Sequence, residues 1–99
     1  MAAYTANTAK SATLTSTTQD TVAFAGTGHD IQVINADAVN ALWVKVADTD
    51  PGAISAGGDD TFRVLAGTPL TIRCRGIMTP VVRLLGNGGG YTVQAVPAR

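Results

Sequence analysis

Few side chains in this 99-residue sequence are of the types, and at the spacings, that chemistry requires. His29-Asp30 is the one neighbouring histidine–carboxylate pair, the arrangement in which an Asp orients an imidazole that activates a hydroxyl nucleophile. Ser11, Ser16 and Ser55 lack the strained, glycine-flanked elbow such a nucleophile occupies, so His29 reads as a loop residue without a catalytic role. Asp48, Asp50, Asp59 and Asp60 gather between Ala47 and Thr61. Calcium takes several oxygen ligands, but this spacing is not that of an EF-hand and the closing Glu is missing. Asp also builds turns by bonding the backbone two residues on, and that is the expected role. Gly86-Asn87-Gly88-Gly89-Gly90 resembles a phosphate cradle only in composition. A cradle needs a helix N-terminus after it, followed by Lys and Ser/Thr, whereas Tyr91 to Val96 alternates like a strand. A flexible hairpin connection is expected there. The single cysteine, Cys74, excludes an internal disulfide and a Cys-rich zinc site. It alternates with Leu70 and Ile72 and reads as a core thiol. The residues therefore assign no catalytic, cofactor or metal site, and the chain is expected to be non-enzymatic.

One set of side chains points to binding instead. Arg63, Arg73, Arg75 and Arg83, with Lys45, fall inside strand-like runs on one expected face, while most Asp residues fall in loops. Such segregation suits a basic sheet face meeting an acidic surface. Arg on an exposed face also simply solubilises a sheet and blunts its edges, and both readings stand. Trp43 shares this face, either stacked with guanidinium groups as an interface anchor or covered by the N-terminal segment.

The elements that position these residues follow from hydrophobic alternation. Leu42-Trp43-Val44-Lys45-Val46, Thr61 to Leu65, Leu70 to Cys74, Val81 to Leu85 and Tyr91 to Val96 are short period-two runs bounded by Gly, Asp and Pro. Thr21 to Phe24 and Ile31 to Asn35 are two earlier strands. Thr13 to Thr15 begins the fold, and Ala36 to Asn40 fits a hairpin connection better than a helical turn. These runs predict an all-β fold, a small antiparallel sandwich or barrel, jelly-roll or immunoglobulin-like, of seven or eight strands. Its core face carries Leu42, Val44, Val46, Phe62, Val64, Leu70, Ile72, Cys74, Val82, Leu84, Tyr91 and Val93. Residues 1–11 have no apolar period and are expected as a flexible arm, with residues 12–99 forming one domain.

Composition narrows the class. Apolar residues reach 45% with only 5% aromatics, so the core is built from Val, Ile, Leu and Ala and offers little surface for stacking ligands. The chain has no Glu and a formal net charge of zero, which suits life in an assembly; a general nucleic-acid binder would be more basic. No segment has a signal peptide's pattern or membrane-spanning length, so no membrane partner is expected and synthesis is expected in the cytoplasm.

The order of segments resembles small structural proteins of tailed bacteriophages. The matching pieces are Asp20-Thr21-Val22-Ala23-Phe24, the Ile31-to-Asn35 strand and Leu42-Trp43-Val44-Lys45-Val46. Then come Asp48-Thr49-Asp50-Pro51-Gly52-Ala53, Gly57-Gly58-Asp59-Asp60-Thr61 and Val64-Leu65-Ala66-Gly67. Val81-Val82-Arg83-Leu84-Leu85 and Tyr91-Thr92-Val93 complete the pattern. The resemblance spans about Thr17 to Val96 and rests on strands and loops, with no catalytic motif. It implies a β-sandwich virion protein, closest to a capsid decoration (cement) protein on the exterior of the major capsid protein shell. Other copies of the chain, clustered as trimers, are the second implied partner. The implied interface combines Met1, Ala2, Ala3 and Tyr4 of the arm with Trp43, Arg63, Arg73, Arg75 and Arg83. Tail or head–tail connector components share this fold, and carbohydrate-binding or adhesion modules remain rival classes, since fold does not fix function.

Overall fold

The computed structural model describes residues 2–6, 8–14, 19–24, 29–74, 79–86 and 88–97. Among them are nine strands and no helix. They are β1 (Ala2–Ala6), β2 (Ala9–Thr13), β3 (Asp20–Phe24), β4 (His29–Asn35), β5 (Leu42–Ala47), β6 (Phe62–Val64), β7 (Pro69–Ile72), β8 (Val81–Leu85) and β9 (Gly90–Pro97). The first sheet has the order β1-β3-β8-β5-β6 and the second β2-β9-β4-β7. Every pairing is antiparallel except β1 with β3, which is parallel. Because β2 lies in the other sheet, the chain between β1 and β3 passes through it, which supplies the long crossover that a parallel pair needs.

Alternation places one side of each sheet inside. Val22, Leu42, Val44, Val64, Val82 and Leu84 from the first sheet meet Ile31, Val33, Ile72, Tyr91 and Val93 from the second, all buried. Cys74, just beyond β7, is buried as well. Burial pushes its thiol above the ordinary range, an effect that the bond from the Ile31 backbone opposes and the Asp30 charge reinforces. Its backbone N–H donates to Asp30 Oδ1 at 3.0 Å, satisfying a donor where the β4–β7 ladder ends.

Four expectations are corrected. The N-terminal stretch is not a free arm, because β1 and β2 add one strand to each sheet. Tyr4 and Ala12 pack against the core, and Lys10 sets its ammonium 4.2 Å from the centre of the Tyr4 ring, closing this edge of the sandwich. Alternation missed these strands because edge strands of Ala, Thr and Ser carry little apolar contrast. The connections after β4 and after β8 are not hairpins, since each carries the chain from one sheet to the other. Among the described strands, only β5 and β6 are sequential partners in one sheet. Phe62 is 45% exposed, because β6 is a three-residue edge strand and the ring stands at its rim. Val64, Ile72, Val82 and Leu84 are buried as expected.

Two polar ties join the sheets through the interior. Tyr91 Oη on β9 donates to Asp20 Oδ2 on β3 at 2.7 Å, with both residues almost fully buried. Burial first, then this bond and the carboxylate's charge, push the Tyr91 hydroxyl well above the ordinary tyrosine range. Asn35, 1% exposed at the end of β4, donates from Nδ2 to the carbonyls of Asn40 (2.9 Å) and Val64 (3.0 Å), while its Oδ1 accepts the Asp37 N–H at 2.9 Å. This seats the β4–β5 crossover against β6. Asp37 then accepts the Val39 and Asn40 backbone N–H groups (2.8 and 3.1 Å), which hold its carboxyl below the usual range.

Two measurements test this packing. Leu84→Ala should cost about 2–5 kcal/mol in chemical denaturation, and Phe62→Ala less than half of that; equal losses would contradict the edge position of Phe62. Tyr91→Phe should cost roughly 1–3 kcal/mol at neutral pH by removing the donor from a buried carboxylate. A raised folded pKa contributes stability that is complete below the unfolded tyrosine value of about 10 and is lost as pH rises above it. The gap between wild type and Tyr91→Phe should therefore narrow above about pH 10; a constant gap up to pH 11 would contradict the Tyr91–Asp20 bond.

Candidate interaction surface

The outer face of the first sheet is organised in cross-strand rows. Register places Ala3, Thr21, Arg83 and Lys45 side by side across β1, β3, β8 and β5. The next row sets Leu85, Trp43 and Arg63 across β8, β5 and β6. Trp43 and Leu85 are half-buried and Arg63 is exposed. An indole flanked by an aliphatic side chain and a guanidinium combines a large apolar area with a charged neighbour, the composition of an interface anchor.

Arg83 belongs to this face but is not on the surface: it is 5% exposed. Its Nε donates to Gln19 Oε1 at 2.7 Å, and its Nη1 donates to Thr21 Oγ1 at 3.0 Å and to both Asp50 oxygens at 3.3 Å. Asp50 lies in the loop between β5 and β6, which folds back over the sheet. Gln19 fastens the same loop twice more, donating from Nε2 to the Ile54 carbonyl at 2.8 Å and accepting the Ile54 N–H at 3.0 Å. A guanidinium removed from water is costly unless its donors find partners, and here strand, loop and Gln19 supply them together. Asp50 also accepts the Gly52 N–H at 2.9 Å, the two-residue backbone bond expected of a turn Asp.

The remaining expected site residues scatter. Arg73 follows β7 in the second sheet and is exposed there, so it does not share a face with Trp43 and Arg63. Because alternation assigns a face only within a sheet, it could not show that Arg73 belongs to the other sheet from Arg63 and Arg83. Met1 and Arg75 lie outside the described residues. Ala2 and Ala3 belong to β1, with Ala3 exposed on the outer row, while Tyr4 is half-buried on the inner face. His29 opens β4, and its side chain lies outside the described residues. Of the acidic group, Asp50 serves Arg83, and among the described residues no cluster of three or more His, Cys or Asp side chains has the geometry of a metal site. Near the glycine run, a Cβ on Gly86 would stand 2.7 Å from Leu14 Cδ1, and one on Gly89 2.6 Å from Asp37 Cβ. Those glycines permit close packing of the sheet crossover.

Sequence reading missed Gln19 and Thr21 as partners of the arginine row. The only available signal was the Gln19-Asp20-Thr21 polar cluster opening β3. No protein-family model matches the sequence, and no curated protein matches it.

The loop attachment is testable. Gln19→Ala removes both Ile54 hydrogen bonds and the acceptor of Arg83 Nε, and should raise hydrogen exchange at the Ile54 amide by at least about tenfold, each bond being worth roughly 0.5–1.5 kcal/mol. Exchange at Val22 and Val82, in paired central strands, should not change. Equal acceleration at all three amides would mean that the loop is not an independently opening unit.

Proposed function

We propose that this chain is a non-enzymatic structural protein of a tailed-bacteriophage virion, a decoration protein that binds the exterior of the major capsid protein shell in many copies and associates with copies of itself as trimers. The strand-and-loop pattern from Thr17 to Val96 supplies the class. The observation that carries the binding role is the Leu85–Trp43–Arg63 row on the outer face of the first sheet. Repetition over a symmetric shell lets a modest contact suffice, because each copy needs little affinity when neighbours hold the lattice together.

The structure changes which residues this proposal uses. Trp43 and Arg63 remain, with Leu85 beside them. Arg83 is committed to the loop, Arg73 faces elsewhere, and residues 2–6 and 9–13 are sheet strands rather than a free arm. Deleting residues 1–11 would therefore remove β1 and most of β2, and would destabilise the sandwich instead of only weakening attachment.

Co-sedimentation with particles lacking the protein tests the reading. Wild type should pellet with them. Trp43→Ala should weaken binding at least about tenfold, as interface anchors do, and Arg73→Ala should leave it unchanged. Raised salt should weaken binding partially, by screening Arg63 but not the indole contact. If wild type fails to bind these particles but binds tails or connectors, the tail or head–tail reading replaces decoration.

A further inference from the structure

The β5–β6 loop leaves a cleft between itself and the first sheet. Its volume is about 130 Å³, and Lys45, Ile54, Ser55, Gly58, Asp59 and Thr61 are among its lining residues. That is room for several water molecules, enough for a carboxylate on a short aliphatic stem. The walls are fixed, because Gln19 holds Ile54 through two hydrogen bonds and Arg83 holds Asp50.

We propose that this cleft binds a single carboxylate against Lys45. Lys45 is half-buried and stands opposite Arg83 in register. Like charges directly opposed across strands repel, and Asp50 neutralises only Arg83: theirs is the one ion pair among the described residues. The Lys45 ammonium thus has neither a counter-ion nor a hydrogen-bond acceptor among those residues. Ser55 Oγ, also in the lining, is likewise uncommitted. The Thr61 hydroxyl already donates to the Asp59 carbonyl at 3.2 Å, so Ser55 is the hydroxyl left to donate. Gly58 keeps the space between them open: a Cβ there would stand 3.1 Å from Ser55 Oγ and 3.5 Å from Thr61 Oγ1. A carboxylate placed here receives a charge-assisted bond from Lys45 and a second bond from Ser55. Asp59, exposed and also in the lining, repels a phosphate dianion more strongly than a monoanionic carboxylate, which favours the carboxylate. The site rests on this geometry alone and is independent of the virion reading.

The carboxylate is supplied either by a small free acid or by an Asp or Glu side chain of a protein partner. Amide NMR titrations with sodium acetate and with N-acetyl-aspartate N-methylamide separate these sources, with sodium chloride and phosphate at matched ionic strength alongside. Both carboxylates should give saturable shifts at Lys45, Ser55, Gly58 and Thr61. Lys45→Gln and Gly58→Ala, one removing the charge and the other filling the space, should each weaken binding at least tenfold, and Lys10→Gln should not. An aspartyl probe binding tenfold tighter than acetate supports the site with a protein partner as its source; equal binding supports it with a free acid. Equal shifts with chloride, tighter binding of phosphate, full binding by folded Lys45→Gln, or no saturable shift would each overturn the proposal.

Discussion

The outer half of this protein depends on one buried guanidinium. Arg83 sits in the middle strand of the first sheet, on the side away from the core, where a charged side chain normally reaches water. It is covered because the fourteen or so residues between β5 and β6 fold over it, and they do so because Arg83 and Gln19 give that loop polar partners while Gln19 and Thr21 hold the guanidinium in place. The coupling runs both ways. Without the loop, Arg83 would regain water and lose Asp50; without Arg83, the loop would retain only the Gln19–Ile54 pair among these contacts. An ion pair whose carboxylate is half exposed, as Asp50 is, contributes little net stability. What it contributes here is position: it fixes where the loop lies and therefore where the cleft lies.

The interior follows a different logic. With few aromatic residues, the core is filled by β-branched and aliphatic side chains whose restricted rotamers suit a pleated surface. Such a core favours stacking of the two sheets but says little about how one sheet is placed over the other. Tyr91–Asp20 and the Asn35 amide supply that information, since each reaches from one sheet to a defined acceptor on the other. Both lie near places where the chain changes sheets: Tyr91 just after the β8–β9 crossing, Asn35 just before the β4–β5 crossing. Buried polar groups of this kind are costly when unpaired, so a sliding displacement of the sheets would expose that cost at once.

Legibility of the sequence divides along the same line. Strands with one apolar and one polar side were readable: β8 was expected with its observed bounds, and β3, β4, β5 and β9 differ from expectation only at their ends. Inward residues such as Val44, Val82 and Val93 follow from alternation because a period of two leaves no other face for them. What alternation cannot encode is what covers the outer face. Arg83 looked like its neighbour Lys45, and only the fold of a distant loop made one buried and the other half-exposed. β1 and β2 escaped because their pairing is set by neighbouring strands, not by an apolar pattern of their own. The candidate surface was legible at Trp43 and Arg63, which are cross-strand partners, and illegible at Arg73, since nothing local says to which sheet a strand belongs.

These constraints bear on how the surface can bind. Loop recognition usually carries an ordering cost, because a mobile segment must be immobilised when the partner arrives. Here the loop is held before any partner is present, by hydrogen bonds that fold with the sheet. The Trp43 row lies on paired strands and is fixed by the ladder itself. Both features therefore offer preformed geometry, while the chain's zero net charge supplies little long-range steering. Recognition on such a surface depends on close fit and on the few local charges, Arg63 and Lys45, more than on attraction at a distance. A contact of that kind is weak for one copy and becomes effective when many copies present it in register.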